Sequence, residues 1–452
     1  MDCALAPPGK RMTKCEEDFS VLKIMSPDGL WRVKQCAMNG QVVSISGRRN
    51  YPLLLASQFL SAFADNFILM LIVGPLLIAF KNGNITAMQQ SIGNIYYTSL
   101  LMAPYVLLAP LTGYLNDRYS KNRWLSAANF IKLLGAAAAA MSIVSGQGWL
   151  AAGYLIVGIG AAFYSPAKYG ILPEILPRER LVKANGAVEL LTLVAILTGN
   201  VGGAMAFDKL PLAVCYVITM AVYGSSLGLN LLMSRTPFYP EVKYNQSAQA
   251  FFRNLALLFS QKRLARVLIG TALFWVCGAV LKMNFQPWGQ QVLNLKTMTQ
   301  ISLLGLWLAL GVMAGSMLAG QLYAVGDLRG TRRYGWLLAA GIAALGSVGL
   351  LLDAGFNYPM TLTISLLTFT GLMAGLFLIP LNAALQAESH KDSLGKTIAL
   401  QNGFENLAML CGSLIAYLDV KKGFNPSELL LLLAAFVAVV VVWLKIPEKA
   451  AV

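Results

Sequence analysis

Long apolar stretches alternate with short polar segments along the chain from residue 53 onward. Twelve of these stretches are long enough to cross a bilayer, which takes about 20 mostly apolar residues when the segment is helical. They run over 53–80, 91–115, 124–146, 149–172, 184–207, 211–233, 266–293, 300–325, 334–352, 359–386, 396–418 and 427–445. The pattern predicts an all-α membrane protein with twelve transmembrane helices.

The composition agrees with this interpretation. Hydrophobic residues make up 57% of the chain and charged residues only 12%, with a mean hydropathy of +0.62. Soluble domains carry about 25% charged residues. The net charge of +15 does not indicate a nucleic-acid partner, because the basic residues lie in loops between the apolar stretches.

The distribution of Lys and Arg predicts the orientation. If both termini are cytoplasmic, the segments on that side carry 28 of the 35 Lys and Arg residues and the opposite loops carry 5. The remaining two, Lys132 and Lys282, lie inside spans. Loops rich in Lys and Arg stay on the cytoplasmic side. The sequence therefore predicts that both termini are cytoplasmic.

A longer polar segment separates the sixth span from the seventh and suggests two six-helix halves. Each half repeats a glycine, an aspartate and a basic cluster after its second span, "GYLNDRYSKNR" at 113–123 and "GQLYAVGDLRGTRR" at 320–333. The polar segment includes "AQAFFRNLALLFSQKRLAR", whose pattern favours a helix lying on the membrane surface. The predicted units are a cytoplasmic tail (1–50), an N-terminal bundle (51–233), a linker with the amphipathic helix (234–265), a C-terminal bundle (266–446) and a short tail (447–452).

Three spans carry a polar stripe at helical spacing, and each stripe contains one charged residue. The charged residues are Asp65 in span 1, Lys282 in span 7 and Glu405 in span 11. A charged group at mid-membrane costs about 2.5–3.5 kcal/mol on insertion scales, so these stripes are expected to face a cavity or each other. The candidate substrate and gating residues are Gln58, Asp65, Trp275, Lys282, Gln401, Asn402 and Glu405.

We expect Asp65 and Lys282 to face each other across the two halves and to pair when the outer side closes. Two roles remain open for such a pair, a switch that also binds substrate or a static buried ion pair. A phosphoethanolamine headgroup needs a cation for its phosphate and a carboxylate for its ammonium. Lys282 with Asp65 or Glu405 supplies both charges.

Three further charged residues lie near the inner ends of spans. Lys132 in span 3 and Glu189 in span 5 lie at similar depths, so the two either form an ion pair or Lys132 extends to the inner interface. Lys168 in "SPAKYG" is either an interfacial anchor or a headgroup contact.

Catalytic and metal-binding patterns are not found. The six cysteines form no CxxC motif, and His390 is the only histidine. An integral-membrane enzyme of the acyltransferase or phosphatase type usually needs a cluster of catalytic or metal-binding groups. We therefore expect no enzymatic activity, no metal site and no cofactor.

The loop at 113–123 resembles the signature between the second and third helices of the major facilitator superfamily. This resemblance implies that Asp117 and its basic neighbours latch the two halves together on the inner side. The predicted inner-side latch comprises Asp117, Arg118, Lys121 and Arg123, with Asp327 and Arg329 in the repeated loop.

More specific stretches resemble the bacterial lysophospholipid transporters. They are "QFLSAFADN", "FYSPAKYGILPEI", "LVKANGAVE", "TALFWVCGAVLK", "IPLNAALQ" and "QNGFENLAML", within about residues 53–445. The resemblance implies movement of lysophosphatidylethanolamine and related lysolipids to the inner leaflet of the bacterial inner membrane. An acyl-ACP/lysophospholipid acyltransferase would then re-acylate them. The family has Arg where this chain has Lys282, and a proton-coupled multidrug exporter of the same fold is the alternative.

Overall fold

The computed structural model describes residues 21–25, 31–35, 47–177, 180–237, 241, 243–245, 249, 253, 256, 259–323, 327–353, 359–388 and 394–446. Most of the predicted N-terminal tail, linker and C-terminal tail, and therefore most of the predicted amphipathic helix, lies outside these residues. In the tail, strands β1 (Val21–Met25) and β2 (Trp31–Gln35) pair antiparallel, with Val21 opposite Gln35.

The rest of the described chain is helical. The helices are α1 (Gly47–Lys81), α2 (Ala87–Leu107), α3 (Ala109–Arg118), α4 (Lys121–Ala140), α5 (Ser142–Ser145), α6 (Gly148–Gly170), α7 (Leu172–Ile175), α8 (Leu181–Lys209), α9 (Leu212–Leu231), α10 (Lys262–Gln291), α11 (Met298–Leu322), α12 (Thr331–Gly346), α13 (Val348–Asp353), α14 (Pro359–Glu388), α15 (Leu394–Lys421) and α16 (Pro426–Trp443).

A helix lies at each of the twelve predicted spans, although fewer helices meet a strict length and hydropathy criterion. Nine helices of the described chain are long and apolar enough to cross a membrane. The pair formed by α2 and α3, bent by 56°, raises this number to ten. Two predicted spans do not meet this criterion. The ninth lies on α12, which has only 16 residues, and the eleventh lies on α15, which carries Glu405.

Local sequence signals explain where several helices begin and bend. Three capping boxes start α2, α11 and α16, and in each one a side chain at the N-cap and another three residues later satisfy free backbone N–H groups. The bend between α2 and α3 contains Pro104 and Pro110. A proline removes a helical hydrogen bond and displaces the preceding turn, so a bend at this place is expected.

Glycines allow α11 and α14 to pack backbone against backbone. A Cβ atom on Gly315 would lie 2.1 Å from the Leu372 carbonyl oxygen, and one on Gly371 would lie 1.9 Å from the Leu308 carbonyl oxygen. Small residues permit such close approach between membrane helices, where packing replaces the hydrophobic effect as the driving force.

The helices form two groups that meet around a cavity. Helices α1, α2, α4, α6, α8 and α9 pack on one another, as do α10, α11, α12, α14, α15 and α16. The two groups are called here the N-half and the C-half. They touch mainly through α2 with α15, α2 with α10, and α8 with α11.

Candidate functional site

A cavity of about 410 Å³ lies between the N-half and the C-half. Both halves contribute to its wall. The predicted site residues that line it are Gln58, Asp65, Lys132, Lys168, Trp275, Lys282, Asn402 and Glu405. The structure therefore brings the three charged stripes of the sequence to one chamber.

Asp65 on α1 has two partners, and both belong to the N-half. The Lys132 ammonium on α4 donates to Asp65 Oδ2 at 2.7 Å, and the Tyr223 hydroxyl on α9 donates to Oδ1 at 2.7 Å. Asp65 as a whole is 8% exposed. Each carboxylate oxygen thus accepts a hydrogen bond before any ligand enters the cavity.

Lys132 corrects one expectation from the sequence. It is 1% exposed, so it does not extend to the interface, and among the described side chains its ion-pair partner is Asp65. The side chain of Glu189 lies outside the described side chains. The Lys132 ammonium also donates to Ser61 Oγ at 2.8 Å and lies 5.1 Å from the centre of the Tyr164 ring.

The expected ion pair between Asp65 and Lys282 is not formed in this structure, in which the two side chains have other partners. Lys282 Nζ on α10 donates to Asn66 Oδ1 at 2.7 Å. Residues 65 and 66 are about 100° apart around the axis of α1. Asp65 therefore turns towards α4 and α9 inside the N-half, while Asn66 turns towards the C-half.

Glu405 on α15 accepts a hydrogen bond from an amide side chain of its own half. It is 3% exposed, and Gln401 Nε2 donates to its Oε1 at 2.8 Å. Gln401 also donates to Asn382 Oδ1 at 2.8 Å. Gln401 thus orients Glu405 from behind the cavity wall.

On the opposite wall, Lys168 and Gln58 meet at Thr192. The Thr192 hydroxyl lies 3.0 Å from Gln58 Oε1 and accepts from Lys168 Nζ at 3.4 Å. The Lys168 ammonium also lies 4.8 Å from the centre of the Tyr169 ring. Lys168 is 9% exposed and lines the cavity, which disfavours the interfacial-anchor interpretation.

Hydrogen bonds join the two halves at the end where α1, α8 and α10 finish. We call this the outer end, because the distribution of Lys and Arg predicts that it faces away from the cytoplasm. Lys81 Nζ donates to the Lys296 carbonyl oxygen at 2.5 Å, and Gln90 Nε2 donates to Gln290 Oε1. Asp208, near the end of α8, provides the third contact.

The Asp208 carboxylate caps α11 across the boundary between the halves. Its Oδ1 accepts from the Met298 backbone N–H at 3.1 Å, and its Oδ2 accepts from the Thr299 N–H at 2.7 Å. The first N–H groups of a helix lack partners within the helix and carry partial positive charge, so a carboxylate stabilises this end. Together these contacts join the two halves at the outer end of the cavity.

The N-half residues of the predicted latch make contacts within their own half. Arg118 Nη1 donates to the Tyr114 hydroxyl at 2.7 Å, and Lys121 pairs with Glu174. Arg123 is exposed, and the side chain of Asp117 lies outside the described side chains.

In the repeated loop, Arg329 pairs with Asp327. Hydrogen bonds from the Arg329 side chain and backbone hold the pKa of Asp327 at about 2, below its ordinary value. Asp327 therefore stays charged near neutral pH. Among the described residues, no group of three or more His, Cys, Asp or Glu could hold a metal ion.

Three functional contacts were not anticipated from the sequence. Asn66 lies next to the charged residue of its stripe, and this position is the only signal that could have found it. Tyr223 resembles any aromatic residue of an apolar span. Asp208 follows span 5 as an isolated acid, and its role depends on a helix about 90 residues further along the chain.

The fold and the cavity define a helical transporter built from two halves. The family model of the Major Facilitator Superfamily matches residues 54–413. The chain therefore belongs to the Major Facilitator Superfamily. Solved structures of this architecture agree, including a D-xylose-proton symporter (TM-score 0.68, 14% identity, 88% of this chain and 98% of that one) and the human organic anion transporter MFSD10 (TETRAN) (TM-score 0.66, 17% identity, 88% and 99%).

Sequence relatives narrow the assignment. The chain is 36% identical over 365 residues to the lysophospholipid transporter LplT of Serratia proteamaculans, covering 79% of this chain and 85% of that protein. It is 33% identical over 390 residues to LplT of Pectobacterium carotovorum, covering 83% and 88%. At this identity and coverage, the chain falls in the lysophospholipid transporter family, as its motifs indicated.

Proposed function

We propose that this protein moves lysophosphatidylethanolamine and related lysolipids from the outer to the inner leaflet of a bacterial inner membrane. Transport proceeds by alternating access of the cavity, in a bundle of twelve spans with both termini cytoplasmic. The observation that supports this most directly is one chamber between the halves that holds Lys282, Glu405 and an apolar wall. The lysophospholipid transporters to which this chain is similar indicate the substrate class.

The polar part of the cavity suits a phosphoethanolamine headgroup. Lys282 is half-buried, and its ammonium donates to a neutral amide and forms no ion pair with a described carboxylate, so its positive charge can bind a phosphate. Glu405, oriented by Gln401, offers a carboxylate to the ammonium. Charge-assisted hydrogen bonds of this kind are about twice as strong as neutral ones, so the pair binds a zwitterion in one orientation.

The acyl chain has an apolar place beside this headgroup site. Helices α8 and α11 meet along one side of the cavity and line it with aliphatic side chains. These are Leu193, Ile196, Leu197, Ile301, Leu308 and Val312. Such a wall keeps the acyl chain out of water, where each exposed CH₂ would cost about 0.8 kcal/mol, and this suits a single-chain lipid.

Because hydrogen bonds join the halves at the outer end, we propose that this arrangement releases lysolipid on the inner side. Gln58, Lys168, Trp275 and Asn402 line the path and are proposed to contact the moving headgroup. The inner-side latch is proposed to engage when the inner end closes. An acyl-ACP/lysophospholipid acyltransferase would consume the delivered lysolipid.

The test is uptake of labelled lysophosphatidylethanolamine by proteoliposomes that contain the purified protein. We expect uptake without an imposed pH gradient, and we expect loss of uptake in Lys282→Gln. Empty liposomes are the control. Uptake that needs a pH gradient, together with export of cationic dyes, would instead support the proton-coupled multidrug exporter.

A further inference from the structure

We infer that Asp65 is the fixed counter-ion of Lys132 inside the N-half, and that it is neither the cross-half partner of Lys282 nor a carboxylate that binds the headgroup. The inference assigns the buried charge of span 1 to the internal structure of one half. The transport measurements that test this inference rest on the proposed function, whereas the melting temperatures that test it do not.

The burial of Lys132 requires a nearby anion. Lys132 is 1% exposed, and Asp65 is the carboxylate that forms an ion pair with its ammonium among the described side chains. Its other neighbours are neutral, namely Ser61 Oγ and the faces of the Tyr164 and Tyr223 rings. An ammonium buried without a counter-ion is strongly unfavourable, so Lys132 explains why Asp65 is tolerated.

Asp65 is in turn saturated by the N-half. Lys132 and Tyr223 each donate to one of its oxygens at 2.7 Å, and Tyr223 is fully buried. A headgroup ammonium that approached Asp65 would meet a carboxylate whose charge is already balanced and whose oxygens are already bonded. The attraction between them would be correspondingly weak.

A chain of hydrogen bonds ties this ion pair to three helices. Ser61 donates to Asn129 Oδ1, Asn129 donates to Ser226 Oγ, and Ser226 donates to the Ser57 carbonyl oxygen, each at 2.7 Å. These residues belong to α1, α4 and α9, as do Asp65, Lys132 and Tyr223. The charged pair is therefore part of a connected polar core of the N-half, which favours a partner that does not change during transport.

Lys282 shows the opposite character. It belongs to the other half, is half-buried, and donates to the neutral amide of Asn66, while the charge of Asp65 attracts it without an ion-pair contact. When the halves separate, a hydrogen bond to a neutral amide and a longer-range attraction are lost instead of an ion pair. Lys282 is thus the charge that exchanges one partner for another, while Asp65 and Lys132 remain together.

Paired neutralisation tests the inference, because removing both members of a true pair leaves no uncompensated charge. The variants are Asp65→Asn, Lys132→Met and Lys282→Met, with the doubles Asp65→Asn/Lys132→Met and Asp65→Asn/Lys282→Met. We expect Asp65→Asn and Lys132→Met each to lower the melting temperature in detergent by several degrees. Each should also lower Vmax/KM for lysophosphatidylethanolamine in proteoliposomes at least about tenfold.

The double Asp65→Asn/Lys132→Met should regain the melting temperature and return Vmax/KM to within about threefold of wild type. The double Asp65→Asn/Lys282→Met is the matched control and should regain neither. Where a single variant is too unstable to purify, the amount of inserted protein in membranes replaces the melting temperature.

Two results would overturn the inference. Recovery of melting temperature and Vmax/KM in Asp65→Asn/Lys282→Met would show that Asp65 pairs across the halves. A restored melting temperature without transport in Asp65→Asn/Lys132→Met would show that Asp65 contacts the headgroup. If the wild type itself does not transport lysophosphatidylethanolamine, the proposed function fails, and the melting temperatures of the same variants still support or overturn the pairing.

Discussion

Neighbouring residues on one helix turn can serve different halves of a transporter. Asp65 contacts Lys132 and Tyr223 in its own half, whereas Asn66 contacts Lys282 in the other. Asn66 Nδ2 also donates to the Ala62 carbonyl oxygen at 2.9 Å, which orients its Oδ1 towards Lys282. The cross-half contact is therefore a single oriented hydrogen bond to a charged donor.

Asn66→Asp should convert this hydrogen bond into an ion pair and stabilise the state with a closed outer end. Hydrogen bonds involving charged groups contribute about 1.5–3 kcal/mol, so strengthening this one should lower the Vmax of lysophosphatidylethanolamine uptake about tenfold. Asn84→Asp adds the same charge in an exposed outer loop and should not lower it. A Vmax equal to that of the control would show that this contact does not limit transport.

Lys282→Arg should retain uptake, since arginine keeps the charge and can bind phosphate with two parallel hydrogen bonds. Lys282→Gln keeps a polar side chain without the charge and should lose uptake. Initial rates in proteoliposomes, at matched protein content, check both variants. Equal uptake rates for Lys282→Arg and Lys282→Gln would show that Lys282 does not bind the phosphate.

At the scale of elements, α11 makes two contacts that differ in kind, one with α8 of the other half and one with α14 of its own half. Asp208 joins the end of α8 to the start of α11 across the halves. Gly311, Gly315, Gly371 and Gly375 let α11 and α14 pack within the C-half. The first contact must break when the outer end opens, and the second can persist through the whole cycle.

Asp208→Asn should weaken the cap on α11, because an amide keeps one acceptor and loses the charge that favours a helix N-terminus. Loss of a helix cap costs about 0.5–2 kcal/mol, which corresponds to a several-fold larger population with an open outer end. A cysteine at Gln290 should then react faster with a membrane-impermeant maleimide added outside. An unchanged labelling rate would show that Asp208 does not hold the outer end closed.

Gly315→Ala should destabilise the C-half, since the added Cβ would lie 2.1 Å from the Leu372 carbonyl oxygen. Overpacking of this kind costs about 1–3 kcal/mol, and it should lower the melting temperature in detergent. Gly320→Ala on the same helix is the matched control, because a Cβ there meets no atom within 4 Å. Equal melting temperatures for the two variants would contradict the proposed backbone packing.

For the whole molecule, the location of the cross-half hydrogen bonds indicates which side is shut. Lys81, Gln90 and Asp208 all make their cross-half contacts at the outer end, and Asn66 meets Lys282 near mid-depth. The cavity below these contacts is shared by both halves. Transport by alternating access requires these outer contacts to open in each cycle.

A cross-link between Gln90→Cys and Gln290→Cys should therefore stop transport. The two side chains hydrogen-bond to each other, so cysteines there lie within reach of a short bifunctional thiol reagent. In a background without the six native cysteines, the cross-linked protein should lose uptake, and a cleavable reagent should restore it on reduction. Each single cysteine treated in the same way should remain active. Full uptake by the cross-linked protein would contradict alternating access at this end.

The sequence by itself determined the helical class, the positions of the helices and the residues that form the polar stripes. Apolar stretches of spanning length can form only a helix or a closed barrel in a bilayer, because every backbone N–H and C=O must be satisfied without water. Helical spacing then placed Gln58, Ser61 and Asp65 on one face. Because a buried charge is costly, the sequence predicted that Asp65, Lys282 and Glu405 would face a cavity or each other, and in the structure all three line one cavity.

Only the tertiary structure decided which charges pair and where the halves meet. Helical spacing fixes the angle between two residues on one helix, but it does not fix the rotation of that helix against its neighbours. Asp65 and Asn66 are about 100° apart around the axis of α1, so Asp65 contacts Lys132 and its neighbour Asn66 contacts the expected partner Lys282. For the same reason, the contacts of Tyr223 and Asp208 could not be predicted from the sequence. Their partners depend on how helices far apart in the sequence pack together.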